Sequence, residues 1–385
     1  MKSVNSFLES ASRRIELLKA EKSDAKLTRP VVVIESDDWG SIRMPSTQIL
    51  DELKAKGYNY ADYIGYDLYD TLASNEDLEV LIDTLLSVKG ADGQPAKLTM
   101  NCVVANPDFD KIRQSGFKEY HYELFIDTLR RYPHHDRSFS LWKEGMKQGV
   151  LRPQFHGREH LNAQMWMKLL QKGCKPIIDS FDKGVISVIV DMKDDPRQHS
   201  LAAYNLATED EYAFAKNSVI EGLAIFEELF GYRSESMIAP NYTWDTAIEE
   251  AAFICGVRYI QGGRSQRHSY YVNQNGGRNT IRYTGQVNNY GQIYTVRNCM
   301  FEPSENPRHG VDYCMSQVKK AFSRRQAAII SVHRQNFIGE LYPLNRENNI
   351  RLFRDLLVCI IAKYPDVVFM SSDEFGRLIE SGIKN

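Results

Sequence analysis

The sequence predicts an α/β fold, a (β/α) barrel of seven or eight strands. Three observations lead there. Short apolar runs alternate along the chain with longer segments whose apolar residues recur at helical spacing. The first run, Val31-Val-Val-Ile34, is β-branched throughout, as a strand buried on both faces would be. Reactive side chains follow four of the runs, at the strand ends where parallel α/β folds gather functional groups.

Taken in order, a helix is expected at about 4–22. Val4, Leu8, Ala11, Ile15 and Leu18 share one face and would lie on the barrel or on another subunit. Strand one, at about 30–36, runs into Asp37-Asp-Trp-Gly40. Helices at about 47–56 and 75–88 lead to strand two at about 97–105. Helices near 117–131 and 138–148 precede strand three, about 149–155, which ends in His156-Gly-Arg-Glu-His160. A helix follows at about 161–172. Residues of about 174–206, with a strand-like Val185–Val190, read as an insertion near the site. Thr208 and Glu211 form a capping pattern for a long helix to about Phe230. Ser236–Ala239 is a short strand ending in Pro240-Asn-Tyr242, and a helix at about 244–255 leads to a strand at about 257–261. The Gly-, Asn- and Tyr-rich stretch at about 262–292 reads as a second insertion. Strands at about 293–297, 327–332 and 367–370 alternate with helices at about 309–324, 346–363 and 372–381.

The 385 residues are 43% hydrophobic and 25% charged, enough for one large core, and a single domain with these insertions is expected. A net charge of -2 makes no case for nucleic acid or an anionic membrane as partner. Six scattered cysteines without a CxxC pair resemble neither a disulfide framework nor a zinc knuckle and suit a reducing compartment. No run has the length of a membrane span and the start is unlike a signal peptide, so a cytoplasmic protein is expected.

Asp37 and Asp38 would repel if both were charged, so the pair invites a cation or a shared proton. A plain helix start in Asp-Asp-Trp-Gly-Ser is the structural alternative. His156 and His160, four residues apart, suit two metal ligands. The alternative is two polar loop histidines. One aspartate and two histidines leave open positions for water, the composition of a hydrolytic metal site. Zinc is the default divalent ion for such donors, with nickel or cobalt as alternatives.

In order and spacing, Asp37-Asp38, His156-Gly-Arg-Glu-His160 and Ser331-Val-His333 resemble the motif series of the polysaccharide deacetylases, the NodB-like carbohydrate esterases. The resemblance spans about Val31 to Phe337. It implies a distorted (β/α) barrel, usually of seven strands. It implies Asp38, His156 and His160 as metal ligands, Asp37 as general base and His333 as general acid. It implies a carbohydrate substrate and a hydrolase that deacetylates N- or O-acetylated sugars, in surface polysaccharide metabolism. Trp39, Pro240, Asn241, Tyr242, Trp244 and Arg334 are the expected substrate-binding residues, and Tyr270, Tyr271 and Tyr290 could add flat faces to a sugar groove.

Four departures from the family pattern stand out. Trp39 intervenes before Gly40, and Gly157 replaces the usual Ser or Thr. The Arg-x-Pro-Tyr motif survives only as Pro240-Asn241-Tyr242, without the arginine that steadies the base. Arg43, Arg233 and Arg334 are the candidate substitutes. The Asp-rich fourth motif is not recognisable around Val257 to Arg264. The missing arginine motivates a second reading, a non-catalytic carbohydrate-binding protein on a decayed scaffold. A third reading takes His156-Gly-Arg-Glu-His160 as the H-x-x-E-H pattern of a metallopeptidase with Glu159 as base. Pro153 and Gly157 disfavour the regular helix that pattern needs.

Overall fold

The computed structural model describes residues 2–58, 64–190, 197, 199–274 and 279–383, with the backbone alone for 2–11, 64–65 and 383. Its main sheet is built from β1 (Val31–Trp39), β2 (Leu98–Val103), β3 (Leu151–Gly157), β4 (Ser236–Ile238), β5 (Tyr259–Gly262), β6 (Ile293–Val296), β7 (Cys299–Met300), β8 (Ala328–His333) and β9 (Val368–Met370). Eight of them follow the order β6-β5-β4-β3-β2-β1-β8-β7, and β9 pairs with the start of β1. Every pairing in this sheet is parallel.

The two ends of that order are consecutive pieces of one segment. β6 pairs with β5, and Arg297 N–H still donates to Gly262 O at 2.9 Å. One residue later, Asn298 N–H donates to Ile329 O at 3.1 Å, and β7 pairs with β8. The segment thus changes partner between residues 297 and 298 and closes the sheet into a distorted barrel. This is the expected fold class.

β1 is buried along its whole length because both faces are covered. Strand side chains alternate in direction, and the two sets on β1 have different neighbours. Val32 and Ile34 pack outward into the large core under the surrounding helices. Val31 and Val33 pack inward with Tyr259, Ile329, Phe375 and Ile379, where the C-terminal helix Ser372–Ile383 closes one end of the barrel. Above this plug, inward-facing Glu35 accepts from Ser372 Oγ at 2.8 Å and from Arg297 Nε at 2.7 Å. The interior therefore passes from an apolar plug through a polar belt to the strand ends that carry Asp37 and His333.

Most expected elements are present within a few residues, and the differences have local causes. The helix expected near 117–131 is shortened: Ala105–Pro107 pairs antiparallel with Tyr122–Leu124, helix Phe109–Gln114 lies in the connection between them, and helix Phe125–Arg131 follows. Val185–Val190 is buried apart from half-buried Ile189 and contains no strand, only an isolated bridge residue at Ile189. Among the described side chains of the N-terminal helix Lys2–Ser23, the expected apolar face points outward, with Ile15 55% and Leu18 50% exposed. That region docks through polar groups instead: Arg13 donates to Ser265 Oγ at 2.9 Å, and Asp24 pairs with Arg264 at 2.7 Å. Val4, Phe7, Leu8 and Ala11 lie outside the described side chains.

Candidate metal centre and its surroundings

Adjacent strand residues point to opposite faces, yet Asp37 and Asp38 both line one cavity of about 190 Å³. A bulge achieves this. β1 runs in register with β2 at Glu35 and Ser36, then shifts before Trp39, and Asp38 takes a left-handed backbone at φ 73°. Few residues other than glycine occupy that region, so Asp38 is held in a strained conformation at the site. The same turn sends Trp39 into the core, against Trp142, with its indole donating to Ser36 Oγ at 2.9 Å.

Asp38, His156 and His160 converge, all buried, with one donor atom from each within 4.8 Å of the others. Both imidazole Nε2 atoms lie 3.2 Å from Asp38 Oδ1. His156 Nδ1 is 2.9 Å from the carbonyl oxygen of Ile238, an acceptor only, so that nitrogen carries the proton. In the neutral ring, Nε2 then turns a lone pair towards a carboxylate oxygen, an arrangement that calls for a cation between them. Tetrahedral zinc with bonds of roughly 2.0–2.1 Å sets its donors about 3.3 Å apart, so the observed spacing fits a small divalent ion. Burial lowers the pKa of His160 to about 4, which keeps it neutral and able to ligate. Asp38 offers one oxygen, because Oδ2 accepts from Arg43 Nη2 at 2.8 Å. Burial alone would raise its pKa, but Arg43 and the histidines hold it well below the usual carboxylate range.

Gly157 makes the hinge of the histidine pair. Its φ is +126°, and a Cβ there would sit 3.1 Å from Glu159 O. Glycine at this position is a backbone requirement. Glu159 accepts from Arg158 Nε at 2.6 Å and faces a different cavity, and no helix carries the His-Gly-Arg-Glu-His run. The metallopeptidase reading fails on both counts.

The arginine absent from the Pro240 motif comes from elsewhere. Arg297, at the point where the closing segment changes partner, grips Asp37 with both ends of its guanidinium, Nη1 to Oδ2 at 2.6 Å and Nη2 to Oδ1 at 2.7 Å. It also reaches Glu35 through Nε at 2.7 Å and the Tyr242 hydroxyl through Nη1 at 3.0 Å. Asn101 Nδ2 donates to Asp37 Oδ1 at 2.8 Å. Burial pushes the Asp37 pKa up, but Arg297 outweighs it and brings the carboxyl down to about 2. None of the expected substitutes serves. Arg43 binds Asp38, Arg334 is buried against Asp70 with its Nε at 2.8 Å, and Arg233 pairs with Glu227 at the surface.

His333 stands across from Asp37, its Nε2 3.8 Å from Asp37 Oδ2 and its ring edge-on to Tyr66. His333 Nδ1 bonds Glu302 Oε1 at 2.6 Å, and Asn336 Nδ2 secures the other Glu302 oxygen at 2.7 Å. Burial alone would lower the His333 pKa, but Glu302 and Asp37 raise it to about 10, so the ring is cationic at neutral pH. Arg297 and Glu302 escaped the sequence reading. The expected strand at about 293–297 ends on Arg297, and a search of every strand end for charged residues would have found it.

The six expected substrate residues divide. Asn241 and Tyr242 line the cavity, and both take left-handed backbone conformations, φ 55° and 54°. Trp39, Pro240, Trp244 and Arg334 do not line it. Trp244 is a core residue whose indole donates to Glu249 at 2.9 Å. With Trp39 and Trp244 in the core and Arg334 spent on Asp70, these residues have no free face for a sugar. Residues outside the motifs complete the wall, among them Tyr66, Asp67, Ser187, His199 and Arg267. Burial raises the Asp67 pKa to about 6, and Ser187 Oγ donates to it at 2.7 Å.

No protein-family model matches the chain, and no curated protein matches it in sequence. Solved structures do resemble it in fold. A protein assigned as a glycoside hydrolase/deacetylase from Parabacteroides distasonis has a TM-score of 0.49 and 10% identity, over 92% of this chain and 72% of that one. A protein assigned as a polysaccharide deacetylase from Mycobacterium smegmatis has a TM-score of 0.47 and 10% identity, over 94% of this chain and 92% of that one. The 4-alpha-glucanotransferase of Thermococcus litoralis has a TM-score of 0.45 and 10% identity, with 90% of this chain spanning 40% of that one. These are likenesses of fold alone, at 10% sequence identity.

Proposed function

We propose that this chain is a divalent-metal-dependent hydrolase that removes acyl groups, acetyl foremost, from N- or O-acetylated sugars. The observation that carries the reading is one cavity holding three things together: an Asp-His-His donor set, an arginine-bound carboxylate and a glutamate-bound histidine. A cation bound by Asp38, His156 and His160, with zinc as the default, would polarise the acyl carbonyl and acidify a water. Asp37, kept ionised by Arg297, takes the proton from the attacking water. His333, kept protonated by Glu302, gives its proton to the departing sugar nitrogen or oxygen. Arg297 removes the motive for a decayed binding scaffold, since the base has its arginine after all.

The expected compartment is the cytoplasm, an inference from the six unpaired thiols. No helix among the described residues is long and apolar enough to cross a membrane. A cytoplasmic substrate would be a precursor of a surface polysaccharide rather than the finished polymer.

Elemental analysis of wild type beside a His156→Ala/His160→Ala variant tests the site. About one equivalent of divalent metal in wild type, lost in the variant, is expected. Acetate release from acetylated sugars should then vanish in Asp37→Asn while the metal stays. Wild type that takes up no metal on titration would sink the proposal.

A further inference from the structure

A second chamber of about 290 Å³ adjoins the metal cavity and shares His199, Asn241 and Arg267 with it. The two chambers have opposite character. The metal cavity is walled by three carboxylates, Asp37, Asp38 and Asp67, whereas the described wall of the second chamber has none. It has two arginines, Arg197 and Arg267, together with histidines and hydrogen-bonding asparagines.

The two arginines are not equivalent. Arg197 is matched by Glu211 at 2.6 Å. Arg267 is exposed and has no carboxylate partner among the described residues. Its backbone is nonetheless fixed, because Arg267 N–H donates to Tyr242 O at 2.9 Å and Trp244 N–H donates to Arg267 O at 3.1 Å. These bonds tie it to the turn that puts Asn241 and Tyr242 on the metal cavity's wall. Tyr242 in turn meets Arg297 and so stands in register with the base.

We propose that the second chamber receives an anionic group of the substrate, with Arg267 as its counter-charge. The substrate class is then an acylated sugar bearing a phosphate or a carboxylate. This rests on the hydrolase reading above and narrows it. A guanidinium pairs with either anion through two parallel hydrogen bonds, so the shared chemistry is an oxyanion on the acylated sugar.

Calorimetric titration of the metal-loaded full chain tests this, with N-acetylglucosamine, N-acetylglucosamine 1-phosphate and N-acetylmuramic acid as probes. At least one charged sugar should bind roughly 10-fold tighter than the neutral one. That ratio should fall towards one in Arg267→Gln, return in part in Arg267→Lys, and shrink as salt screens the pair. Whether the phosphate or the carboxylate gains more identifies the anion. The inference is overturned if charged and neutral sugars bind alike, if no charged sugar binds, or if the ratio survives Arg267→Gln. Metal content measured on the same samples separates the two claims. One equivalent of metal without a charge preference sinks this inference alone. A charge preference in protein that cannot take up metal sinks the hydrolase reading and leaves the anion site standing.

Discussion

At the scale of the residue, the site is governed by two buried pairings. Arg297 serves Asp37 and Glu35 at once, so its removal leaves two buried carboxylates without a counter-charge. Arg297→Met should therefore destabilise the protein by about 3–5 kcal/mol and abolish acetate release. Arg297→Lys should recover more stability than activity, because an ammonium cannot hold both oxygens of Asp37 in a fixed fork. Denaturant titration and acetate assays on both variants check this. His333 sets a pH limit of the opposite kind. Its pKa is raised to about 10, so the stability from its pairing with Glu302 is complete below about pH 6.5 and is lost as pH rises through about 10. With His333 as the proposed acid, its proton should vanish over the same range, giving kcat/KM an alkaline limb near pH 10. Glu302→Gln should move that limb to lower pH. A limb unchanged by Glu302→Gln would show that another group donates the proton.

Legibility at this scale followed local pattern. Asp37, Asp38, His156, His160 and His333 sit in short motifs with recognisable spacing, and the structure brings all five to one cavity. Arg297 lies 260 residues from the carboxylate it serves, and Glu302 lies 31 residues from its histidine. No local pattern records such a pairing. Trp39 and Trp244 misled because an aromatic beside a motif looks the same in sequence whether it faces a ligand or the core. Here the bulge at Asp38 decides for Trp39, and the Glu249 acceptor decides for Trp244.

At the scale of the element, the C-terminal helix Ser372–Ile383 plugs the barrel. It closes the end opposite the site, and Gly376 lets it approach. A Cβ there would lie 2.3–2.6 Å from ring atoms of Tyr259. Gly376→Ala should thus cost about 1–3 kcal/mol through overpacking, read as a lower denaturation midpoint with unchanged metal stoichiometry. Lost metal binding at full stability would contradict this picture. The apolar runs of the strands were easy to read because both faces are buried. Val185–Val190 has the same composition and no strand, since apolar content signals burial and not pairing. The N-terminal helix shows the converse: its periodicity gave the helix, while Ile15 and Leu18 face outward and polar bonds dock it.

At the scale of the whole molecule, the barrel depends on one segment that pairs with β5 through residue 297 and with β8 from residue 298. Asn298 pins the handover, its Nδ2 donating to Ala327 O at 2.8 Å and its Oδ1 accepting from Ile329 N–H at 2.9 Å. Asn298→Ala should leave those groups unpaired and cost about 1–3 kcal/mol, with amide exchange accelerated first along β7 and β8. Uniform acceleration across all strands would argue against a seam. No composition or periodicity announces a strand that divides its hydrogen bonds between two neighbours, so the fold class was legible and its mode of closure was not.

Arg297 occupies that handover, and on the proposed hydrolase reading this ties activity to the order of folding. The guanidinium reaches Asp37 only when the last gap of the ring is shut, since its own backbone bond belongs to the seam. A chain with every strand formed but the ring open has Asp37 without its counter-ion. Recovery of activity on refolding should then lag behind recovery of secondary structure, and a newly made chain would stay catalytically silent until its topology is complete.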